Sequence, residues 1–199
     1  QMPDGVQVEE MSDTYGRFVV QPLERGYGLT IGNAFRRVLL SSLGGTAITA
    51  IKVDGVQHEF STVPGMTEDI SDVILNLKGV RFRAHEEDEG SIASLLEGPG
   101  EWTAKDIAGA TADFDILNPD HHIAHLAEDA EVRVDLRVGQ GRGYVPAEEN
   151  KRADDPIGVV AVDSIFTPIL NVKYEVTPTR VGDSLDFERL TMEVNTDGS

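Results

Sequence analysis

Residues 131–138, Glu-Val-Arg-Val-Asp-Leu-Arg-Val, alternate charged and aliphatic side chains without a break. Successive side chains of a β-strand point to opposite faces, so this run puts four aliphatics on one face of a sheet and four charges on the other. A strand with one dry and one wet face belongs to an antiparallel sheet. The same alternation recurs at residues 172–176 and 190–194. Residues 17–20 and 49–53 read as shorter strands, bounded by Pro22, Gly45 and Gly55. Sheet is therefore the dominant element expected.

Two segments depart from period two. Thr30 can cap a helix over about 31–42, where Phe35, Val38, Leu39 and Leu43 recur at helical spacing before Gly44 and Gly45 stop it. Its adjacent Arg36 and Arg37 point about 100° apart, so they cannot share one solvent patch. In the second segment Glu68 and Asp69 supply negative charge at a helix N-terminus, ahead of an apolar stripe of Ile70, Val73, Ile74 and Leu77. Burying each such side chain contributes about 1.5–3 kcal/mol, so packing on the sheet, more than propensity, is expected to hold both helices. Residues 86–90, Gly98-Pro99-Gly100 and 139–156 read as loops.

With 40% hydrophobic residues, the 199-residue chain can bury one large core or two smaller ones. No apolar run approaches the ~20 residues of a membrane span. The start, Gln1-Met2-Pro3-Asp4-Gly5, lacks the parts of a signal peptide, and a cytoplasmic location is expected. The net charge of −18, from 35 acidic against 17 basic residues, repels nucleic acid and anionic membrane. The absence of cysteine removes disulfides, thiolate metal sites and cysteine nucleophiles together.

Four motifs invite chemistry. The glycine-rich run Gly26-Tyr27-Gly28-Leu29-Thr30-Ile31-Gly32 precedes a helix, but Ile31 stands where a dinucleotide fingerprint needs glycine and Gly32-Asn33-Ala34 where a Walker loop needs Gly-Lys-Ser/Thr. His121, His122 and His125 cluster. On a regular strand His121 and His125 share a face and His122 points away, and no nearby acidic pattern completes a ligand set. Ser61 lies close to His58 without a nucleophile elbow. Asp113-Phe114-Asp115 reads as a strand carrying a common Asp-x-Asp pair. No catalytic residue, cofactor or metal is expected, and binding or architecture remains by elimination.

Residues 22–42, Pro-Leu-Glu-Arg-Gly-Tyr-Gly-Leu-Thr-Ile-Gly-Asn-Ala-Phe-Arg-Arg-Val-Leu-Leu-Ser-Ser, strongly resemble the signature of bacterial RNA polymerase alpha subunits. The likeness continues at 54–62, 68–78, 141–146, 156–158 and 162–164, in the family's order. It implies an α+β fold: a discontinuous dimerisation subdomain of antiparallel sheet plus helices at 1–48 and 166–199, and an inserted sheet-rich subdomain at 49–165. It also implies a homodimer that scaffolds assembly of the beta and beta-prime subunits and has no active site of its own.

Carried over by motif, Arg37 and Leu40 on the first helix, with His58, Glu59 and Phe60, belong to the beta-contacting surface. Phe35 and Leu39 join the subunit interface. Asp72, Lys78, Val162, Asp163 and Ser164 belong to surfaces for the large subunits, Lys78 and Val162 chiefly for beta-prime. The family carries a second dimerisation helix after the strand ending near Asn195, then a linker and a DNA-contacting domain, so direct DNA contact is not expected of these residues. The competing classes are a nucleotide-dependent enzyme using residues 26–32 and a dimeric adaptor with other partners.

Overall fold

The computed structural model describes residues 5–85, 89–182 and 184–199. The readings made on residues 1–4 and on the acidic run at 86–88 lie outside them. The chain divides into two compact units, one built from the segment ending at Leu43 together with Thr167–Gly198, the other from Gly44–Phe166.

In chain order the first unit begins with β1 (Val6–Met11), β2 (Tyr15–Glu24) and α1 (Tyr27–Ser42). The second unit follows with β3 (Gly44–Val53), α2 (Ile70–Leu77), β4 (Phe82–Ala84), β5 (Gly90–Glu97), β6 (Gly100–Thr103), α3 (Ala104–Gly109) and β7 (Phe114–Ile116). It continues with β8 (His122–Leu126), β9 (Glu131–Arg142), β10 (Tyr144–Val145), α4 (Ala147–Asn150), β11 (Val159–Ala161) and β12 (Ser164–Ile165). The chain then returns to the first unit as the hairpin β13 (Ile169–Val181) and β14 (Ser184–Thr196).

The first unit is an antiparallel sheet in the order β1-β2-β14-β13. Its core joins Val20, Leu23, Val172, Leu190, Met192 and Val194 to Ile31, Leu39 and Leu40 of α1. The helix begins a turn earlier than its spacing predicts. Gly26 precedes it with φ 88°, a left-handed conformation that glycine adopts without a Cβ clash. Thr30 does not cap; its hydroxyl donates back to the Gly26 carbonyl at 3.2 Å.

Gly28 and Gly32 are the buried residues of α1. A Cβ on Gly32 would stand 2.7 Å from the Tyr174 ring, and one on Gly28 2.7 Å from Val176, so the two glycines let the helix lie directly on β13 and β14. The expectation that Phe35 and Val38 pack on the sheet is corrected: they are 45% and 52% exposed. At 100° per residue, Tyr27, Leu29, Ile31, Phe35, Val38, Leu39 and Leu40 span roughly 220° of the helix, more than one sheet face can cover.

In the second unit the main sheet runs β5-β9-β3-β4-β7, with β11 also on β3, and two-stranded ribbons β6-β8 and β10-β12 accompany it. Val132, Val134, Leu136 and Val138 of β9 are buried while Glu131 and Arg133 are exposed, as the alternation requires. The strand also runs on through Arg142, pairing with residues 44–47, where a loop was expected. Its glycines misled for a packing reason. A Cβ on Gly141 would lie 2.6 Å from the Phe166 ring, which uses that space. The rest of the expected loop contains β10 and α4. Helix α2 matches its stripe: Ile70, Val73 and Leu77 are buried, and the Asp69 carboxylate accepts the Asp72 N–H at 2.9 Å.

Candidate functional site

The expected interface residues fall into three groups. On α1, Arg37 and Phe35 are exposed, about 200° apart around the helix, while Leu39 and Leu40 are half-buried against the sheet. In the second unit His58, Glu59 and Phe60 are exposed in the segment after β3. That segment is tied to α2, because the Ser71 hydroxyl donates to the Glu59 carbonyl at 2.9 Å and the Ile70 N–H to the Ser61 carbonyl at 3.2 Å. Exposed Asp72 in the first turn of α2 therefore stands beside them.

Beyond the other end of α2, Lys78 forms an ion pair with Asp163, to which the Tyr144 hydroxyl also donates at 3.3 Å. Burial alone would raise the Asp163 carboxyl, but the bond and charge of Lys78 outweigh it and leave it below the usual range. Val162 and Ser164, expected on the same surface, are each 1% exposed. Ser164 faces inward, where its hydroxyl donates to the Ile48 carbonyl at 2.7 Å and accepts from Asn150 at 2.9 Å. Of these three neighbours only Asp163 is available to a surface.

On the polar face of β9, Arg137 holds Asp155 at 2.6 Å and donates to the Asn150 carbonyl at 2.8 Å. The guanidinium bond keeps the Asp155 carboxyl below its ordinary value. A carboxyl depressed on folding adds stability above its unfolded pKa, near 3.9, and loses it as pH falls through the folded value. The parent should therefore melt higher than Asp155→Asn at pH 7, and the gap should close when both are melted at successively lower pH below about 4.

The motifs that suggested catalysis resolve otherwise. The glycine-rich helix start does present amides to an anion, and that anion is the chain's own Glu188. Its carboxylate accepts from Gly26 and Gly28 N–H, both at 2.9 Å. The place a phosphate would take is filled from β14, 160 residues away. Glu188→Ala should cost about 1–2 kcal/mol through loss of this cap, read as a lower melting temperature, with Glu188→Gln losing less. The Ser61 hydroxyl lies 3.1 Å from His58 Nδ1, but among the described residues no carboxylate is hydrogen-bonded behind His58 to orient it. Asp115 pairs with His85 at 3.1 Å.

The histidines depart most from expectation. Strands β6 and β8 pair with a register shift between Trp102 and Thr103, and Ile123 and Ala124 are both buried in succession. This bulge breaks the alternation. His122 and His125 come together with ring centroids 4.5 Å apart, while His121 turns to the Asn76 carbonyl at 2.8 Å. An acid does complete the set. Thr67 N–H donates to the His125 carbonyl at 3.1 Å and His125 N–H to Glu68 Oε2 at 2.7 Å, which brings Glu68 over both rings.

Glu68 Oε1 lies 2.7 Å from His125 Nδ1 and 3.2 Å from His122 Nε2. Glu101 of β6 lies 2.5 Å from His122 Nδ1. Burial alone would raise the Glu68 carboxyl, but the bonds from the His125 main chain and from the two rings bring it down to about 2. Glu68 in turn raises the His125 imidazole. Glu68 read in sequence only as a helix-start acid, because its partners lie 54 and 57 residues away.

A sheet unit closed from two separate segments of the chain, carrying a glycine-seated helix with an open apolar surface, has the build of a protein that binds other proteins. Residues 51–167 match the family described as RNA polymerase Rpb3/RpoA insert domain, and the chain belongs to that family. It is 71% identical over 199 residues to the DNA-directed RNA polymerase subunit alpha of Salinibacter ruber, covering all of this chain and 61% of that protein. The protein of the same name from Chloroherpeton thalassium is 57% identical over 201 residues, again with all of this chain and 61% of the relative covered. That from Carboxydothermus hydrogenoformans is 53% identical over 194 residues, covering 98% of this chain and 62% of the relative. The chain thus spans about three-fifths of the length of these relatives. No helix among the described residues is long and apolar enough to cross a membrane.

Proposed function

We propose that this chain is the N-terminal region of a bacterial RNA polymerase alpha subunit, a cytoplasmic, non-catalytic scaffold that pairs with a second copy and holds the beta and beta-prime subunits. The observation that carries the reading is the outer surface of α1, where Tyr27, Phe35 and Val38 stand exposed on a helix seated directly on its sheet by two glycines. Apolar surface on a rigid support suits a partner. In this reading the unit built from both ends of the chain is the dimerisation part. Exposed Arg37, with the 58–60 segment and Asp72, receives beta; Lys78 and Asp163 face beta-prime. Arginine suits such a surface because its planar fork satisfies carboxylates or carbonyls as it is desolvated.

Co-purification with separately expressed beta subunit at moderate salt tests the reading, with two copies of this chain expected per beta. Arg37→Ala should weaken beta capture about tenfold or more, as for an interfacial arginine anchor, with melting temperature and self-association unchanged. Unaltered capture by that variant would remove Arg37 from the beta surface. A lone chain that never captures beta would count against the scaffold itself.

A further inference from the structure

Three ring nitrogens in the second unit face carboxylate oxygens: His122 Nδ1 faces Glu101, while His122 Nε2 and His125 Nδ1 both face Glu68 Oε1. An ionised carboxylate only accepts hydrogen bonds, and a neutral imidazole carries one N–H for its two nitrogens. The single proton of a neutral His122 can serve Glu101 or Glu68, never both. One nitrogen lone pair is then left against an oxygen lone pair, a contact that needs either a second proton or a cation. Glu68 cannot easily turn aside, because its other oxygen is held by the His125 main-chain N–H.

We propose that Glu68, His122 and His125 bind a divalent transition-metal ion of the zinc class, with Glu101 orienting His122. Two imidazole nitrogens and a carboxylate oxygen are donors this ion takes. One such atom from each residue lies within 4.8 Å of the others. Bonds of about 2.0–2.2 Å in a tetrahedron separate ligand atoms by roughly 3.3 Å, so small rotations of the rings admit the ion. Glu101 accepting from His122 Nδ1–H selects the tautomer whose Nε2 lone pair faces the metal, the arrangement that orients metal-bound histidine generally. The half-exposed His125 side chain leaves a coordination position open to water. The ion clips β8 to the segment before α2.

The chain, stripped with a chelator and dialysed, is titrated with zinc chloride by calorimetry and with cobalt chloride by visible absorption. One ion per chain is expected, with a cobalt spectrum of low coordination number. Glu101→Gln should weaken zinc binding at least about tenfold, and His122→Ala or His125→Ala should exceed the roughly 100-fold upper range for loss of such a supporting group. His85→Ala, at the separate pair with Asp115, should bind as the parent does. Zinc should raise the melting temperature of the parent and of His85→Ala but not of His125→Ala. His125 is exposed and its ring bonds only Glu68, so that variant retains the fold, which circular dichroism checks. No saturable binding by the parent, or equal binding by His125→Ala and His85→Ala, overturns the proposal and leaves the cluster held by protons alone.

Discussion

Trp102→Ala should destabilise the second unit by about 3–5 kcal/mol, the range for deleting a large aromatic side chain from a core that cannot collapse into the void. Trp102 is 1% exposed and belongs to the cluster that includes Ile51, Ile70, Ile123 and Leu136. It stands on β6, opposite Ala124 of β8, so the cavity would open under the histidine cluster. Its Nε1–H has no acceptor among the described residues, and a stranded buried donor costs about 1–3 kcal/mol. Trp102→Phe removes that donor while keeping most of the volume, so its net loss should stay under about 1.5 kcal/mol. Thermal melts of both variants check the pair. A Trp102→Phe loss well above about 1.5 kcal/mol would mean that the indole N–H is satisfied in the folded protein.

Phe35→Asp should cost the proposed self-association at least about 2 kcal/mol, roughly 30-fold, the scale of an aromatic anchor at an interface, and a carboxylate stranded in that interface adds to it. The fold should be nearly indifferent. Phe35 is half exposed in the isolated chain, where substitutions usually fall within about ±0.5 kcal/mol. Sedimentation equilibrium separates the two effects. A dimer that survives Phe35→Asp with unchanged affinity would take α1 out of the pairing surface.

Elements whose residues obey one period were legible in the sequence. The run at 131–138 became the buried-and-exposed alternation of β9, and the stripe Ile70, Val73, Ile74 and Leu77 became the inner face of α2. Both follow from local geometry, since side-chain direction along one strand or helix needs no knowledge of the rest of the chain. Glycine defeated the local rules twice. Gly28 falls before the helix expected over about 31–42, and Gly139-Gln140-Gly141-Arg142-Gly143 within an expected loop. Glycine in a sequence does not say whether it serves φ freedom or leaves room for a neighbour, and here Tyr174, Val176 and Phe166 supply those neighbours.

The exposed chemistry divides in the same way. Arg37, His58, Glu59, Phe60 and Asp72 were named from a motif, and the structure leaves each on a surface, whereas the burial of Val162 and Ser164 could not be read from theirs. Glu188 over the amides of α1, and Glu68 between two histidines, carry no motif at all.

By itself, then, the sequence determined the periodic elements, the acidic surface, the lack of thiol chemistry and, through its long signature, the family. Tertiary structure alone decided which glycines are packing sites, that α1 keeps an apolar surface uncovered, and that a bulge in β8 turns His122 toward His125. The physical reason is range. Periodicity and capping act within a few residues, but a carboxylate 160 residues from the amides it caps, or 54 from the ring it faces, is placed only when the sheets close.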